Sequence, residues 1–346
     1  KILAAATRYD VPITFRAAGT ALSGQSATDS VLVLTGKDWE GIKIDDTGEH
    51  VEVQPGIIGA RVNQLLAPYG RKLGPDPASV RSAMIGGIVA NNASGMNGTD
   101  ENSYKTIDSV RIVLADGTVL DTGDPISRAS FEATHADFIR RIGELRDGIR
   151  ANEKLAERIR YKYSIKNVTG LNLLPFIQFD DPFDIIAHLM VGSEGTLAFL
   201  SQVTMNTEYN YPYKASAMLY FETIKEACRA VVAMKKLVNV DGETVVKGAE
   251  LLDYKSLSSV NDPVYLAYKE QVGSEKATGL TAVLTETMAC SQMELNQYIA
   301  TIEACLASFE SHIPVHFTDR PEEYSKYWAI RSGIFPSVGG TRQPGT

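Results

Sequence analysis

The spacing of apolar residues changes several times along the chain, and each change predicts a new element of secondary structure. Residues 1–9 have the periodicity of an amphipathic helix, and the apolar runs "PITFRA", "DSVLVLT" and "HVEVQPG" predict strands. The stretch "IGARVNQLLAPYG" predicts a helix that ends at Gly70, and "IDSVRIVLADGTVLDTG" predicts a hairpin that turns at its Asp-Gly pair. By contrast, Gly and Pro interrupt "RKLGPDPASVRSAMIGGIVANNASGMNG" throughout, so this stretch is predicted to be mostly loop.

The second half of the chain continues with strands and helices in a new order. Residues 130–165 have helical spacing with mixed charge, and "DPFDIIAHLMVGSEGTLAFLSQVTMNT" predicts a helix, a tight turn at Gly192–Gly195 and a strand. From about residue 212 the pattern is strand, helix, strand, strand, helix. That order predicts a second domain of the α+β class.

Length and composition fit a globular protein of two domains. The chain has 346 residues, of which 44% are hydrophobic and 22% charged, enough apolar material for a substantial core. The net charge of −8 argues against nucleic acid or an anionic membrane surface as the main partner. The three cysteines, Cys228, Cys290 and Cys305, are far apart, which predicts buried thiols and neither a disulfide framework nor a zinc site. The chain begins without Met and ends in a Gly- and Pro-rich stretch, so we expect a piece of a longer protein, truncated at both ends.

The glycine-rich stretch "RAAGTALSGQS" differs by one residue from a Walker A loop. Gly19, Gly24 and Ser26 fit the pattern G-x-x-x-x-G-K-[ST], but Gln25 stands where the motif has its Lys. A P-loop also leads directly into a long helix, whereas the next element here is a predicted strand. The triphosphate interpretation is therefore rejected. A nest of backbone N–H groups for an anion and a plain connection between two strands both remain open.

Two further segments, "LGPDPASVRSAMIGGIVANNASG" and "GSEGTLAF", contain the same kinds of small residues. If the three segments converge in space, one large ligand explains them better than three unrelated turns. That ligand would be flat in part and anionic in part, as a dinucleotide is. No G-x-G-x-x-G fingerprint precedes a helix, which disfavours a Rossmann nicotinamide site.

As a set, these motifs resemble the PCMH-type FAD-binding domain of the vanillyl-alcohol oxidase family. The stretches "RAAGTALSGQS", "VEVQPG", "GPDPAS", "IGGIVANNASG", "VRIVLADGTVLDTG", "NVTGLNL" and "LMVGSEGTLAFLSQVT" follow the family's order over residues 1–208. Residues 209–346 are similar to the cap domain of FAD-linked D-2-hydroxyacid dehydrogenases. The ending "YWAIRSGIFPSVGGTRQPGT" is most similar to large bacterial respiratory D-lactate dehydrogenases with appended iron–sulfur modules. The resemblance implies an α+β fold: an FAD-binding domain of two α/β subdomains at 1–208, without its first strand, and a ferredoxin-like cap at 209–346, without its C-terminal part.

The resemblance also implies which residues hold FAD. Those matching the pyrophosphate loop are Ala18, Gly19, Thr20, Ala21, Leu22 and Ser23. Those matching the flavin and ribityl region are Pro75, Asp76 and Ser79; those matching the second phosphate and isoalloxazine loop are Gly86, Gly87, Asn91, Ser94 and Gly95. Beside the adenosine half, the matching residues are Glu194 and Gly195.

Non-covalent binding of FAD is expected. Members of the family with covalent flavin use a His or Cys near these loops, but no Cys precedes Cys228 and the first His, His50, lies outside them. Two positions depart from the family. Ala17 and Ala18 stand where Gly-Gly is common, which is tolerable if their φ angles are negative, and Leu171 replaces an aromatic residue.

The implied reaction is oxidation of a D-2-hydroxy acid, with D-lactate to pyruvate as the first choice, by hydride transfer from C2 to N5 of FAD. Arg331 matches the carboxylate-binding Arg of the family, and Arg342 is a second catalytic candidate. Glu250 matches an acidic position of the cap, although a charge at a helix N-terminus explains it equally well. The alternatives are a dehydrogenase of D-2-hydroxyglutarate or glycolate, a flavin oxidase, and a non-enzymatic FAD-binding subunit.

No histidine of this chain matches the catalytic base. His188 lies in an apolar helical pattern and is predicted to be packed, and Pro314 between His312 and His316 argues against a helical metal site. Relatives carry their catalytic and metal-binding histidines further toward the C-terminus, so we expect no metal here and little activity from this segment alone. We expect a cytoplasmic protein without a transmembrane segment, with peripheral attachment to the inner membrane as an alternative. Its electron acceptor would be an iron–sulfur module or another partner outside this segment.

Overall fold

The computed structural model describes residues 1–21, 23–95, 101–165 and 167–340 and divides the chain into two units, Lys1–Asn210 and Tyr211–Thr346. The elements of the first unit are, in chain order, α1 (Ile2–Tyr9), β1 (Ile13–Arg16), β2 (Val31–Leu34), β3 (Ile42–Ile44), β4 (His50–Val53), α2 (Gly59–Leu66), β5 (Arg71–Leu73), α3 (Ile85–Ala90), α4 (Ser103–Thr106), β6 (Ile107–Val113), β7 (Val119–Asp121), α5 (Pro125–Ala151), α6 (Glu153–Lys162), α7 (Pro175–Gln178), α8 (Pro182–Leu189) and β8 (Phe199–Tyr209).

Helix boundaries in the first unit follow local capping chemistry. The side chain of Asp124 accepts the backbone N–H of Ile126 at the start of α5, and Asp181 does the same for α8. Both helices then begin with proline, whose missing N–H costs nothing in the first turn. After α2, a short 3₁₀ turn ends at Gly70, which has a φ of 67° and confirms the predicted stop.

The first unit contains two separate sheets. Strands β1 and β2 form a parallel pair, with Ile13 opposite Val31. The second sheet is antiparallel, with the strand order β3-β4-β8-β6-β7, and β5 pairs with the end of β8. Alternate residues of β8, among them Val203 and Met205, are fully buried and share one core with residues of α2, α3, α5 and α8.

The second unit is a ferredoxin-like α+β fold. Its elements are β9 (Tyr213–Phe221), α9 (Ile224–Met234), β10 (Gly248–Leu252), α10 (Tyr254–Ser259), α11 (Pro263–Val272), β11 (Thr281–Ala289), α12 (Gln292–Leu306) and α13 (Pro321–Gly340). The sheet is antiparallel with β11 between β10 and β9, and an isolated bridge joins Ser216 of β9 to Thr318 on the other side. The alternating residues Ala217 and Leu219 belong to the core that α9 and α12 complete, which leaves the opposite face of the sheet to α13.

The segment predicted to be mostly loop is turn and loop over most of its described length, but it also contains β5 and the short helix α3, which packs although it holds two adjacent glycines. One expectation from the sequence is wrong. The cysteines are not all buried, since Cys228 and Cys290 are exposed and Cys305 is half-buried. On α9 the inward positions belong to Ala227, Ala230 and Met234, so Cys228 points outward.

Candidate functional site

The first glycine loop connects two parallel strands, β1 and β2. Its described residues form turns and bends without a helix, so the rejection of a Walker A loop is confirmed. Gly19 has a φ of 68°, and a Cβ placed there would lie 2.4 Å from Nε of Arg16. The left-handed φ favours glycine at this position, and a side chain there would also displace the end of the Arg16 side chain. Neither Ala17 nor Ala18 has a positive φ, which is why alanine is accepted at both positions.

The second loop is built around α3 and its two glycines. A Cβ on Gly86 would lie 2.7 Å from Cβ of Pro55, and one on Gly87 would lie 3.8 Å from Cβ of Ala17. The missing side chain of Gly86 thus lets α3 pack directly on the turn after β4. Gly87 places the same helix beside the first glycine loop.

The third turn, Gly192–Gly195, is tied to the end of α3 by its backbone. Gly192 donates its N–H to the carbonyl of Val89 at 3.3 Å, and Glu194 donates to the carbonyl of Ala90 at 2.8 Å. Glu194 has a φ of 53°, a left-handed conformation that a residue with a side chain seldom adopts. The backbone of Glu194 is therefore locally strained, and its hydrogen bond to Ala90 holds the side chain in a fixed position.

The carboxylate of Glu194 joins all three segments. Gln25 of the first loop donates from Nε2 to Oε2 at 3.0 Å, and Asn91 at the end of α3 donates from Nδ2 to Oε1 at 2.7 Å. Both amides are therefore held by one acceptor group. The convergence that the sequence only suggested is present in the fold.

The three segments surround a single cleft of about 1120 Å³, counting the space at its open mouth. Of the residues predicted to hold the cofactor, those that line it are Ala18, Gly19, Thr20, Ala21, Ser79, Gly86, Gly87, Asn91, Glu194 and Gly195. Phe15 and Phe199 add an aromatic wall, with ring centroids 4.5 Å apart. The cleft is also lined by Arg16, Gln25 and Ser193, which were not predicted to hold the cofactor. The signal for Gln25 in the sequence was its position within the glycine-rich stretch.

Five predicted cofactor residues do not line this cleft: Ser23, Pro75, Asp76, Ser94 and Gly95. Gly95 nevertheless packs on the predicted segment, since a Cβ there would lie 2.1 Å from the carbonyl oxygen of Asp76. Ser94 lines a second, more polar cavity of about 670 Å³ in the same unit, together with Asn167 and Asn172 of the "NVTGLNL" motif. Two further candidates, Leu22 and Arg342, lie outside the described residues.

The cleft has the features that a dinucleotide with a flat ring system requires. Glycines bring the backbone to its surface, aromatic and aliphatic side chains form one wall, and Arg16 supplies a cation for an anionic group. A buried acceptor also lacks a partner among the described residues: Oε1 of Gln25. An FAD molecule carries both the phosphates and the hydroxyl donors that such a surface can bind.

In the second unit, Arg331 lies on α13 in contact with Glu250 on β10. Its Nε donates to Oε2 of Glu250 at 2.6 Å, and its guanidinium lies 5.8 Å from the ring centroid of Trp328. The Arg331 side chain is 15% exposed. Glu250 belongs to a strand, so the alternative of a helix N-terminal charge is wrong for this residue.

His188 packs inside the first unit, and the pair His312 and His316 lies in the second. His188 is buried, its Nδ1 lies 2.8 Å from the carbonyl of Asp184, and its ring stacks on Phe179 with centroids 4.1 Å apart. Burial lowers the pKa of His188 below its usual value, partly offset by the interaction with Asp184. The prediction of a packed histidine is confirmed. His312 and His316 lie between α12 and α13, and the described part of the chain holds no group of three or more His, Cys, Asp or Glu side chains that could bind a metal.

Comparison with protein families and curated proteins supports FAD as the cofactor. The model of the FAD binding domain family matches residues 1–123. The glycolate oxidase subunit GlcD of Escherichia coli K12 is 23% identical over 342 residues, which cover 98% of this chain and 55% of that protein. A D-2-hydroxyglutarate dehydrogenase of Haemophilus influenzae is 24% identical over 68% of this chain and 24% of its own length. A D-lactate dehydrogenase of Archaeoglobus fulgidus is 23% identical over 68% of this chain and 42% of its own length.

Solved structures share the fold. A structure of alkyldihydroxyacetonephosphate synthase superposes with a TM-score of 0.61 and 16% identity, covering 97% of this chain and 52% of that one. The chain spans about half the length of the glycolate oxidase subunit and of the synthase. Among the helices in the described ranges, none combines the length and apolarity that crossing a bilayer requires. These findings confirm the resemblance to FAD-linked D-2-hydroxyacid dehydrogenases, the PCMH-type fold and FAD as the cofactor.

Proposed function

We propose that this chain is the flavin- and substrate-binding part of an FAD-dependent dehydrogenase that oxidises a 2-hydroxy acid. The observation that carries the proposal is the joining of three glycine-rich segments by the Glu194 carboxylate around one cleft. Bound FAD supplies the two-electron acceptor for the oxidation. The relatives named for glycolate, D-2-hydroxyglutarate and D-lactate support the same class of substrate.

Arg331 is the residue that we propose for binding the substrate carboxylate. Its guanidinium has five N–H donors, of which the Nε–H is held by Glu250. The two terminal nitrogens can each donate a hydrogen bond to one oxygen of a carboxylate, which gives bidentate binding. Glu250 then restrains the side chain, so that less conformational entropy is lost when the substrate binds.

D-Lactate is the substrate that we propose first, and glycolate and D-2-hydroxyglutarate are the alternatives. The support for D-lactate is the similarity of residues 327–346 to respiratory D-lactate dehydrogenases. The same similarity supports an electron acceptor other than oxygen.

Anaerobic stopped-flow measurement of flavin bleaching tests these proposals on the intact protein. D-Lactate, L-lactate, glycolate and D-2-hydroxyglutarate are mixed in turn with the FAD-loaded protein, and the decay of the flavin absorbance ranks them. We expect rapid bleaching by one D-2-hydroxy acid or glycolate and none by L-lactate. If flavin is bound and none of the four acids bleaches it, the chain belongs to a non-enzymatic FAD-binding subunit. Slow reoxidation of the bleached protein by air is expected for a dehydrogenase, whereas fast reoxidation would identify an oxidase.

A further inference from the structure

The side chain of Gln25 has one end committed and the other unpaired. It lines the cleft and donates from Nε2 to Oε2 of Glu194 at 3.0 Å. Its Oε1 is buried and has no hydrogen-bond partner among the described residues. A buried acceptor without a donor is unfavourable, so the position is suited to receive a donor from a ligand.

Glu194 determines which end of the Gln25 amide forms a hydrogen bond with it. A carboxylate accepts hydrogen bonds and has none to donate, so only the NH₂ end of an amide can bind it. The second oxygen of Glu194 is occupied in the same way by the NH₂ group of Asn91 at 2.7 Å. With its NH₂ held by Glu194, Gln25 has only its carbonyl oxygen left to offer.

This orientation excludes one part of FAD as the partner and selects another. The pyrophosphate oxygens are acceptors, so they cannot bind a carbonyl oxygen. The hydroxyls of the ribose and ribityl chain, the adenine amino group and the flavin N3–H are donors. We propose that Gln25 contacts FAD directly, with Oε1 accepting a hydrogen bond from one of these O–H or N–H groups, and that Glu194 is the positioning residue that fixes the orientation of Gln25. Position 25 thus carries an acceptor where a Walker A loop carries a phosphate-binding cation.

Isothermal titration of the intact apoprotein with FAD, ADP and FMN tests the contact without any activity measurement. Gln25→Leu should raise the Kd for FAD about fivefold to tenfold, the usual effect of one uncharged hydrogen bond. Because a single acceptor can contact only one half of the cofactor, either the ADP titration or the FMN titration should be weakened, while the other stays within twofold. If ADP is the weakened ligand, titrations with 2′-deoxy-ADP and inosine diphosphate distinguish the ribose hydroxyl from the adenine amino group. If FMN is weakened, the donor lies on the ribityl chain or the flavin ring.

The matched control is Gln64→Leu, because Gln64 is an exposed glutamine of α2 that accepts from Arg61 and does not line the cleft. It should leave all three titrations unchanged.

Glu194→Gln should weaken the same one of ADP and FMN as Gln25→Leu does, because an amide at position 194 no longer determines which end of Gln25 binds it. Unchanged affinity for all ligands in Gln25→Leu overturns the contact. So does an equal loss for ADP and FMN accompanied by a lower melting temperature, because that pattern indicates loosened loops. A Glu194→Gln protein with wild-type selectivity overturns the positioning role.

Discussion

At the scale of single residues, Arg331 is held by one neighbour in a way that leaves part of its charge available. Glu250 contacts only Nε, and the aromatic ring of Trp328 lies beside the guanidinium. An arginine kept in one conformation binds a carboxylate with a smaller entropic cost than a freely moving one. Of the residues assigned a catalytic role from the sequence, Arg331 is the one within the described ranges.

We predict that Arg331→Met in the intact protein raises the KM for the 2-hydroxy acid about 10- to 100-fold, the usual range for losing a hydrogen bond to a charged group. The amount of bound FAD should not change. Steady-state kinetics and the ratio of flavin absorbance to protein absorbance measure the two quantities. Arg320→Met is the matched control, because Arg320 is 61% exposed and pairs with Glu323. A KM equal to that of the wild type would remove Arg331 from the substrate site.

His188 gives a second prediction, for the pH dependence of stability. Burial lowers its pKa below the ordinary 6.5, so the unfolded state binds a proton at a pH where the folded state does not. The contribution of His188 to the free energy of unfolding is therefore fully present above pH 6.5 and decreases as the pH falls below that value. Urea unfolding at pH 7.5 and 5.5 should show this loss. His188→Phe keeps a ring beside Phe179 and should reduce the loss, and an equal loss in both proteins contradicts the assignment.

At the scale of elements, α3 depends on the absence of one side chain. The helix carries Gly86, Gly87 and Asn91 to the cleft and packs against Pro55. Its position therefore affects the shape of the cleft.

We predict that Gly86→Ala lowers the free energy of unfolding by about 1–3 kcal/mol through overpacking against Pro55, and that it weakens FAD binding because α3 must shift. Denaturant unfolding and titration with FAD measure these effects. Gly143→Ala on α5 is the matched control, since a Cβ there meets nothing within 4 Å. It should leave FAD binding unchanged and raise stability by at most about 1 kcal/mol. Equal behaviour of the two variants would show that the contact with Pro55 does not restrict α3.

The sequence predicted those elements whose signals are local. The turn at Asp116-Gly117 was recognised because it separates two apolar runs, and Gly117 does adopt a φ of 90°. Helix α3 was missed because adjacent glycines oppose helix formation in isolation, whereas the fold stabilises it by burying Ile85, Ile88 and Val89 in the core. The same limit applies to the site: the composition of the loops indicated a dinucleotide, but Gln25 and Glu194 are separated by 169 positions. No periodicity relates residues that far apart, so their contact could come only from the fold.

At the scale of the whole molecule, the two proposed tasks belong to different units. All the residues that line the cleft lie within Lys1–Asn210, whereas Arg331 and Glu250 lie in the unit that begins at Tyr211. Each of the two units has its own hydrophobic core. Cofactor affinity and substrate affinity should therefore respond to different substitutions.

The double variant Gln25→Leu with Arg331→Met tests this separation. The two side chains share no hydrogen-bond partner among the described residues, and independent sites usually have additive effects within about 0.5 kcal/mol. The Kd for FAD in the double variant should therefore equal that of Gln25→Leu alone. The KM at saturating FAD should equal that of Arg331→Met alone. Titration with FAD and steady-state kinetics on all four proteins complete the cycle. If Arg331→Met by itself weakens FAD binding more than twofold, Arg331 contributes to holding the cofactor, and substrate capture cannot be its separate task.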